Sequence, residues 1–277
     1  MNIPIKLIVP SGGCNAKCRF CYMKNLITTH NKINKQEFIN NFIKSLFILF
    51  DKIGNDKNNI TLDITGNETT LDVNLLKTIL NKLKTNNIAQ YVKHITLTTN
   101  GFNMLKVVDD FQSIVDYVNI SVHTFDMHER YEIMKYSLTN DQYFNINNKL
   151  NNYKISSSAV SVIDQPIEKF DIWRDKFILW AKKTGFSSLR FRCDTLSFDA
   201  KIFNEYMFNT INNSKLKLID YKKTVSSQYC ILTTDDDFKI VFLHGTLSSL
   251  HIKKPIEYIV HDDGKPYYDL NKISLIK

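Results

Sequence analysis

Three cysteines near the N-terminus, Cys14, Cys18 and Cys21, are the residues whose types and spacing could do the most demanding chemistry in this chain. They lie in the run Cys-Asn-Ala-Lys-Cys-Arg-Phe-Cys, so three residues separate the first pair and two separate the second. Thiolates are soft ligands that suit iron–sulfur clusters. Three thiolates hold three irons of a [4Fe-4S] cluster and leave the fourth iron open for a ligand that is not protein. The spacing therefore indicates a cluster that takes part in a reaction.

A structural zinc site is the alternative interpretation of these cysteines. Such zinc takes four closed ligands, commonly from paired Cys-x2-4-Cys units, and no matching second pair occurs in the chain. The other two cysteines, Cys193 and Cys230, lie far from the motif and are predicted to be small buried side chains. A non-catalytic module that binds zinc or a structural cluster stays open as the second interpretation.

The motif resembles the signature of the radical S-adenosylmethionine (radical SAM) superfamily, Cys-x3-Cys-x-aromatic-Cys, with Phe20 as the aromatic residue. The resemblance implies one [4Fe-4S] cluster whose open iron is chelated by the amino and carboxylate groups of S-adenosylmethionine (SAM). It implies reductive cleavage of SAM to a 5'-deoxyadenosyl radical, which abstracts hydrogen from a substrate. It also implies an electron donor such as flavodoxin or ferredoxin. The protein's part is then to place and shield the cofactors.

The segment Gly66-Asn67-Glu68 resembles the Gly-Gly-Glu segment with which the family binds the methionine amino group. In this resemblance Glu68 accepts from the SAM ammonium in a charge-assisted hydrogen bond, and Gly66 permits close backbone approach. Asn67 replaces the second glycine of the family pattern, and Thr69 replaces the proline that usually follows. A surface loop is the alternative interpretation.

Aromatic and amide residues near these motifs are further candidates for cofactor binding. Phe20 and Tyr22 flank Cys21, and they are expected to shield the cluster and contact adenine. Ordinary loop packing is the alternative for both. Asn100 belongs to a Thr-Thr-Asn-Gly sequence that is also common in the family, although Asn-Gly by itself predicts only a turn.

Ser121 and His123 sit where the family contacts the ribose or carboxylate of SAM, or the substrate. Arg190 and Arg192 could bind the SAM carboxylate or an anionic substrate bidentately. Arg192 is the preferred candidate because it lies nearer the carboxyl end of its predicted strand. The alternative for His123 is an interior histidine with satisfied hydrogen bonds. The alternative for the arginines is an ion pair with a nearby aspartate.

Predicted strands alternate with helical patterns along most of the chain. The strands are predicted at residues 5–9, 60–65, 94–99, 118–123, 157–163 and 188–194. Repeated βα units predict a parallel sheet with right-handed crossovers, and six units match the open (β/α)6 partial TIM barrel of radical SAM enzymes. We therefore predict an α/β fold with this core over residues 1–214. A small α+β appendage, a possible substrate lid, is predicted over residues 215–277.

Three of these strands alternate apolar and polar residues, which places the polar set on one face of the sheet. The polar positions are Thr61, Asp63, Thr65, Asn119, Ser121, His123, Arg190, Arg192 and Asp194. A closed barrel fills its interior with branched apolar side chains. Polar interior residues instead predict a cavity that holds a polar ligand.

The composition limits the partners and the compartment. The chain has 277 residues, 43% of them hydrophobic, a formal net charge of +8 and a pI of about 9.0. The positive charge is compatible with nucleic acid, but the lysines are scattered and form no basic block. The first residues do not resemble a signal peptide, and the most apolar stretch, residues 42–50, is too short to span a bilayer. We predict a cytoplasmic protein with no membrane partner.

Together these features predict a radical SAM enzyme that acts on a small polar metabolite or a nucleotide. A peptide- or RNA-modifying enzyme, or an activase that makes a glycyl radical on a partner, are the alternatives within the same family. No residue is predicted to act catalytically on the substrate.

Overall fold

The computed structural model describes residues 3–21, 34–54, 59–163, 165–192, 200–223, 227–245 and 258–267. The strands are β1 (Ile3–Val9), β2 (Ile60–Gly66), β3 (His94–Thr99), β4 (Tyr117–Ser121), β5 (Ser156–Val162), β6 (Ser188–Arg192), β7 (Lys217–Lys223), β8 (Ser227–Thr233), β9 (Lys239–Gly245), β10 (Tyr258–Val260) and β11 (Pro266–Tyr267). The α-helices are α1 (Lys35–Ile53), α2 (Val73–Thr85), α3 (Met104–Val107), α4 (Met127–Met134), α5 (Asn140–Asn152), α6 (Ile167–Lys183) and α7 (Ala200–Asn213).

All eleven described strands join one sheet in the order β11-β10-β1-β2-β3-β4-β5-β6-β9-β8-β7. β1 to β6 lie side by side in chain order, and each pairs with the next in parallel. Helices lie between successive strands of this series, as parallel pairing requires. The predicted α/β class with a parallel-rich sheet is confirmed.

The residues after position 215 extend this sheet at both sides. β8 and β9 form an antiparallel hairpin, and β9 pairs in parallel with β6. β10 and β11 form a second antiparallel hairpin, and β10 pairs in parallel with β1. The division into a core and an appendage at position 215 stays a prediction.

The first helix illustrates how the sequence sets the elements. Asn34 caps α1, because its side-chain oxygen accepts from the backbone N–H of Glu37 at 3.1 Å. The helix ends at Gly54, whose φ of 96° is the left-handed conformation that glycine adopts at helix ends. Between these ends, α1 buries an apolar face that includes Phe38, Phe42, Leu46, Leu49 and Phe50. The described residues contain no helix with the length and apolar content that crossing a bilayer requires.

The two faces of the parallel strands differ as predicted. In β2, the side chains of Ile60, Leu62 and Ile64 are fully buried under the helices. The opposite face, here called the inner face, carries the alternating polar residues. Register shows that inner-face positions of β2, β4 and β6 include Asp63, Asn119 and Arg190. This arrangement leaves a polar surface on the side of the sheet away from the helices.

Candidate cofactor site

The cysteine loop follows directly from β1. Residues 10–21 lie at the carboxyl end of the parallel strands, where βα proteins place their chemistry. Cys14 is exposed, whereas Cys18 and Cys21 are partly buried. The backbone N–H of Cys21 donates to the carbonyl of Cys18 at 3.2 Å and closes a tight turn. All three predicted metal ligands therefore lie on one short loop at this end of the sheet.

Two donors approach the Sγ atom of Cys14. They are the backbone N–H of Ala16 at 3.3 Å and the side-chain amide Nδ2 of Asn100 at 3.7 Å. Although the residue as a whole is exposed, desolvation of its thiol raises the pKa of Cys14, while these two donors act to lower it. N–H donors stabilise a thiolate, which is the form of cysteine that binds metals. The surroundings of Cys14 thus already contain groups suited to a ligating sulfur.

The cysteine loop is docked on the end of α4. The carbonyl oxygens of Ile133 and Met134 accept from the backbone N–H groups of Arg19 at 3.2 Å and Lys17 at 2.6 Å, respectively. The last carbonyls of a helix have no partner within the helix, so the loop satisfies them. Ala16 also packs against Ile133 and Met134 in a small apolar cluster. Helix α4 therefore serves as the support of the loop.

Arg130 holds α4 in place from inside the protein. Its side chain is fully buried. Nε and Nη2 donate to the carbonyl of Thr124 at 3.1 and 3.0 Å, and Nη1 donates to the carbonyl of Leu138 at 2.9 Å. The guanidinium also lies 4.9 and 5.0 Å from the ring centroids of Tyr143 and Trp180, close enough for cation–π attraction. One arginine thereby fixes the segments before and after α4.

Glu68 is a buried carboxylate with four donors around it, and only 2% of the residue is exposed. Oε1 accepts from the backbone N–H and the hydroxyl of Thr70 at 2.9 and 2.6 Å, and from the Thr99 hydroxyl. Oε2 accepts from the backbone N–H of Asn100 at 2.6 Å. Burial raises the pKa of Glu68 despite these donors. The carboxylate joins the loop after β2 to the loop after β3.

Asn100 extends this network to the cysteine loop. Its Nδ2 donates to Oδ1 of Asn15 at 2.8 Å as well as approaching Cys14. Its Oδ1 accepts from the backbone N–H of Phe102 at 3.0 Å, which fixes the orientation of the amide. A continuous set of hydrogen bonds therefore runs from Glu68 through Asn100 to the residue beside Cys14.

Gly66 and Asn67 lie between Glu68 and β1. A Cβ atom at Gly66 would lie 2.8 Å from the carbonyl oxygen of Val9, so only glycine fits where the two chains approach. The side-chain Oδ1 of Asn67 is buried and has no hydrogen-bond partner in the described part of the chain. A buried acceptor without a donor is costly, and it is a reason to expect a ligand at this point.

His123 and Phe20 meet beside the cysteine loop. Their ring centroids are 4.5 Å apart in an edge-to-face arrangement. Nδ1 of His123 accepts from the backbone N–H of Val162 at 3.2 Å, so the proton of the neutral ring is on Nε2. Burial, together with the charges of Arg130 and Arg19, lowers the pKa of His123 to about 3. His123 is therefore a neutral hydrogen-bonding group at physiological pH.

The remaining candidates lie further from this network. Ser121, the last residue of β4, and Arg192, the last residue of β6, are both on the inner face at the carboxyl ends of their strands. Ser121 is partly buried and Arg192 is exposed. Tyr22 and Cys193 lie outside the described residues. Cys230 is buried, as predicted.

Comparison with known families agrees with this geometry. The model of the radical SAM superfamily matches residues 8–164, which is more than half of the chain. The chain belongs to the radical SAM superfamily. The match covers the cysteine loop, Glu68, Asn100 and His123, and it ends before β6. A search of curated proteins found no match to the chain.

Solved radical SAM structures share the fold. SuiB of Streptococcus suis bound to S-adenosylmethionine has a TM-score of 0.62 and 13% identity, over 100% of this chain and 62% of that one. SuiB bound to precursor peptide SuiA has a TM-score of 0.53 and 17% identity, over 76% of this chain and 47% of that one. The chain thus spans about half to three fifths of the SuiB chains that it matches, and the likeness concerns the fold.

Radical SAM proteins use a [4Fe-4S] cluster and SAM, and the cysteine loop fits that cluster by ligand type, number and position. Three thiols lie on one loop at a strand end, with N–H donors beside Cys14. Within the described residues, no three cysteine, histidine or acidic side chains lie close enough together to hold a metal ion.

Several residues of this radical SAM site had no clear signal in the sequence. Arg130, Thr70, Thr99 and Asn15 carry hydrogen bonds that hold the loops together. The spacing from Asp126 to Glu129 does match a helix N-cap, and Asp126 Oδ1 accepts from the Glu129 N–H at 2.8 Å. That spacing could have revealed α4, although not the role of its buried arginine.

Proposed function

We propose that this chain binds one [4Fe-4S] cluster through Cys14, Cys18 and Cys21 and uses it to cleave SAM reductively. The bound cluster and SAM would supply a 5'-deoxyadenosyl radical that abstracts a hydrogen atom from an organic substrate. A flavodoxin or ferredoxin would deliver the electron. The observation that carries this proposal is the hydrogen-bonded connection from the cysteine loop through Asn100 to Glu68.

The methionine end of SAM is proposed to bind at Gly66 and Asn67. Asn67 Oδ1 is a buried acceptor that lacks a donor, and an ammonium group would provide one. Both oxygens of Glu68 already accept from protein donors. Glu68 would therefore share its charge with the ammonium while holding Thr70, Thr99 and Asn100 in place. Under this proposal Asn67 contacts the ammonium directly, whereas the family resemblance assigned that contact to Glu68.

The adenosine end is proposed to contact the aromatic side of the loop. Phe20, with Tyr22 beyond the described residues, would shield the cluster and contact adenine. His123 would donate from Nε2 to a ribose, carboxylate or substrate oxygen, because its Nδ1 is engaged by Val162. Ser121 and Arg192 would line the same cavity from the ends of β4 and β6.

The substrate is proposed to be a small polar metabolite or a nucleotide, because the inner face of the sheet is polar. The strands β1 to β6 would form the open partial barrel around it, and residues 215–277 would form the lid. Peptide modification is the second candidate, since SuiB has been crystallised with the precursor peptide SuiA. The first candidate is favoured by the charged residues within the inner face.

The test is anaerobic reconstitution with iron and sulfide, followed by dithionite and SAM, with 5'-deoxyadenosine measured by mass spectrometry. Wild-type protein is expected to bind about four irons and to form 5'-deoxyadenosine. Cys18→Ala is expected to lose both, since two thiolates cannot replace three. Cys230→Ala is the matched control, because this buried cysteine lies outside the site and its loss should leave both signals.

Two outcomes would contradict the proposal. One is a protein that takes up zinc in place of iron under these conditions. The other is equal 5'-deoxyadenosine formation by wild type and Cys18→Ala. Either would favour the non-catalytic binding module over the enzyme.

A further inference from the structure

Arg190 is a partly buried cation on the inner face of β6 with an N–H donor that the protein does not satisfy. Its Nε atom is buried and has no hydrogen-bond partner in the described part of the chain. The side chains of the flanking inner-face residues, Val160 on β5 and Val241 on β9, are apolar and offer no acceptor. Burial lowers the pKa of Arg190 to about 10, and the neighbouring Arg192 acts in the same direction. A buried guanidinium N–H without an acceptor is costly, and a bound anion would remove that cost.

The inner face around Arg190 carries charged residues on more than one strand. Arg192 on β6 lowers the pKa of Arg190 by its charge, and Asp63 on β2 raises it. All three residues occupy inner-face positions. They therefore border the space on the side of the sheet away from the helices.

The charges facing this space are unbalanced. Lys6, Arg190 and Arg192 occupy inner-face positions near the middle or the carboxyl end of their strands, and Lys239 begins β9. Asp63 is the single carboxylate at the inner-face positions of β1 to β6 and β9, taken over their described residues. An excess of cations on one face of the sheet attracts an anion.

We propose that Arg190 and Arg192 bind an anionic group of the substrate, a carboxylate or a phosphate, at the inner face of the sheet. This inference rests on the proposed function and names the substrate class for the same site. Arginine binds both groups through two parallel N–H donors. Arg192, at the strand end, would meet the anion first, and Arg190 would hold it deeper inside.

The position of Arg190 favours the substrate over SAM as the source of the anion. Arg190 lies two residues before the end of β6, about 7 Å below the strand end. The cysteine loop, Asn67 and Asn100 all lie at or beyond the strand ends. A SAM carboxylate chelated to the cluster would lie near these loops, whereas Arg190 reaches a lower level of the same space.

The test uses the full chain without a cluster, so its result does not depend on the radical chemistry. Inorganic phosphate and malonate serve as probes for the two anionic groups, and binding is measured by titration calorimetry. Wild type is expected to bind at least one of them, and Arg190→Met is expected to bind it about 10- to 100-fold more weakly. Arg174→Met is the matched control, since this buried arginine already pairs with Asp171 and Asp175. Equal binding by wild type and Arg190→Met would overturn the proposal.

Two further measurements separate this site from other roles of Arg190. Without added anion, Arg190→Met is expected to raise the Tm by about 2–4 °C, because a partly buried cation with an unsatisfied N–H donor is removed. A lowered Tm would show a structural role and overturn the proposal. In reconstituted wild type, the bound probe is expected to leave the Kd for SAM unchanged. Competition between the probe and SAM would assign the site to the SAM carboxylate and would also overturn the proposal. Failure to reconstitute a cluster would count against the proposed function alone.

Discussion

Replacement of Arg130 by methionine is expected to lower the free energy of unfolding of the cluster-free protein by about 3–5 kcal/mol. The buried guanidinium donates to the carbonyls of Thr124, Phe125 and Leu138. Methionine fills similar space but donates no hydrogen bond, so these carbonyls would lose their donors inside the protein. Urea denaturation under anaerobic conditions measures the loss.

Arg174→Met is the matched control for this prediction. Arg174 is also a buried helical arginine, with 3% of the residue exposed. Its ion-pair partners, Asp171 and Asp175, are instead exposed to solvent and can be hydrated after the change. The loss for Arg174→Met is therefore expected to be the smaller one. A loss for Arg130→Met that is no larger than this control would contradict the role of Arg130 as the anchor of α4.

The same variant is expected to loosen the cysteine loop. Ile133 and Met134 accept the N–H groups of Arg19 and Lys17 only while α4 keeps its position. Hydrogen exchange of these two amides should become faster in Arg130→Met and remain at the wild-type rate in the Arg174→Met control. Since the amides are measured without a cluster, the readout reports the loop itself and not the activity of the enzyme.

Glu68→Ala is expected to have the second large effect, a loss of about 2–6 kcal/mol in the free energy of unfolding. The change leaves the backbone N–H groups of Thr70 and Asn100 without their acceptor in a buried position. Glu68→Gln should cost about half as much, because one side-chain oxygen remains and the amide nitrogen cannot accept. Glu132→Gln is the control, since Glu132 is exposed. Equal losses of unfolding free energy for Glu68→Ala and Glu68→Gln would contradict this account of the hydrogen bonds to Glu68.

The stability difference between wild type and Glu68→Gln is expected to depend on pH. The folded-state pKa of Glu68 is raised above its ordinary value of 4.5 by burial. Between the two pKa values the folded protein binds more protons than the unfolded chain, so the contribution of Glu68 falls as the pH rises. The cost of Glu68→Gln should therefore be larger near pH 4.5 than at pH 8. If the stability cost of Glu68→Gln instead grew with pH, the hydrogen-bond donors, and not burial, would determine the pKa of the Glu68 carboxylate.

The order of the parallel strands could be predicted because each strand carries its own local signal. His94–Thr99 has the predicted bounds, and the other strands of the β1 to β6 series differ from prediction by no more than two residues at either end. Alternation of apolar and polar residues also predicted which side of β2 and β6 faces the helices. These features depend on neighbouring residues and on period-two patterns.

Helix α4 could not be predicted from the same patterns because its buried face combines a charged side chain with apolar ones. Met127 and Tyr131 are about half exposed, at 53% and 50%, while Arg130 is fully buried. Apolar periodicity therefore gives no signal for this helix. The helical segment before β4 is also irregular, since the short α3 is followed by a 3-10 turn at Val108–Phe111. That segment turns into β4 through Ser113, which has a positive φ of 68°.

The cysteine motif predicted the family, but the network that supports it depends on contacts distant in sequence. Glu68 meets Thr99 and Asn100 across 31 and 32 residues, and Asn100 meets Asn15 across 85. No local pattern encodes such pairs. For the same reason, the pairing of β9 with β6 and of β10 with β1 could not be read from the hairpin signals of the C-terminal part.

The pairing of β10 with β1 has a consequence for the growing chain. Ile5, Lys6 and Leu7 pair with residues 258–260, so β1 gains its second neighbour only after those residues have left the ribosome. Contacts between such distant segments carry a large loop-closure cost and form slowly. Until then β1 is an open edge with unpaired backbone groups. A nascent chain therefore carries its cysteine loop beside an unfinished sheet until synthesis has reached β10.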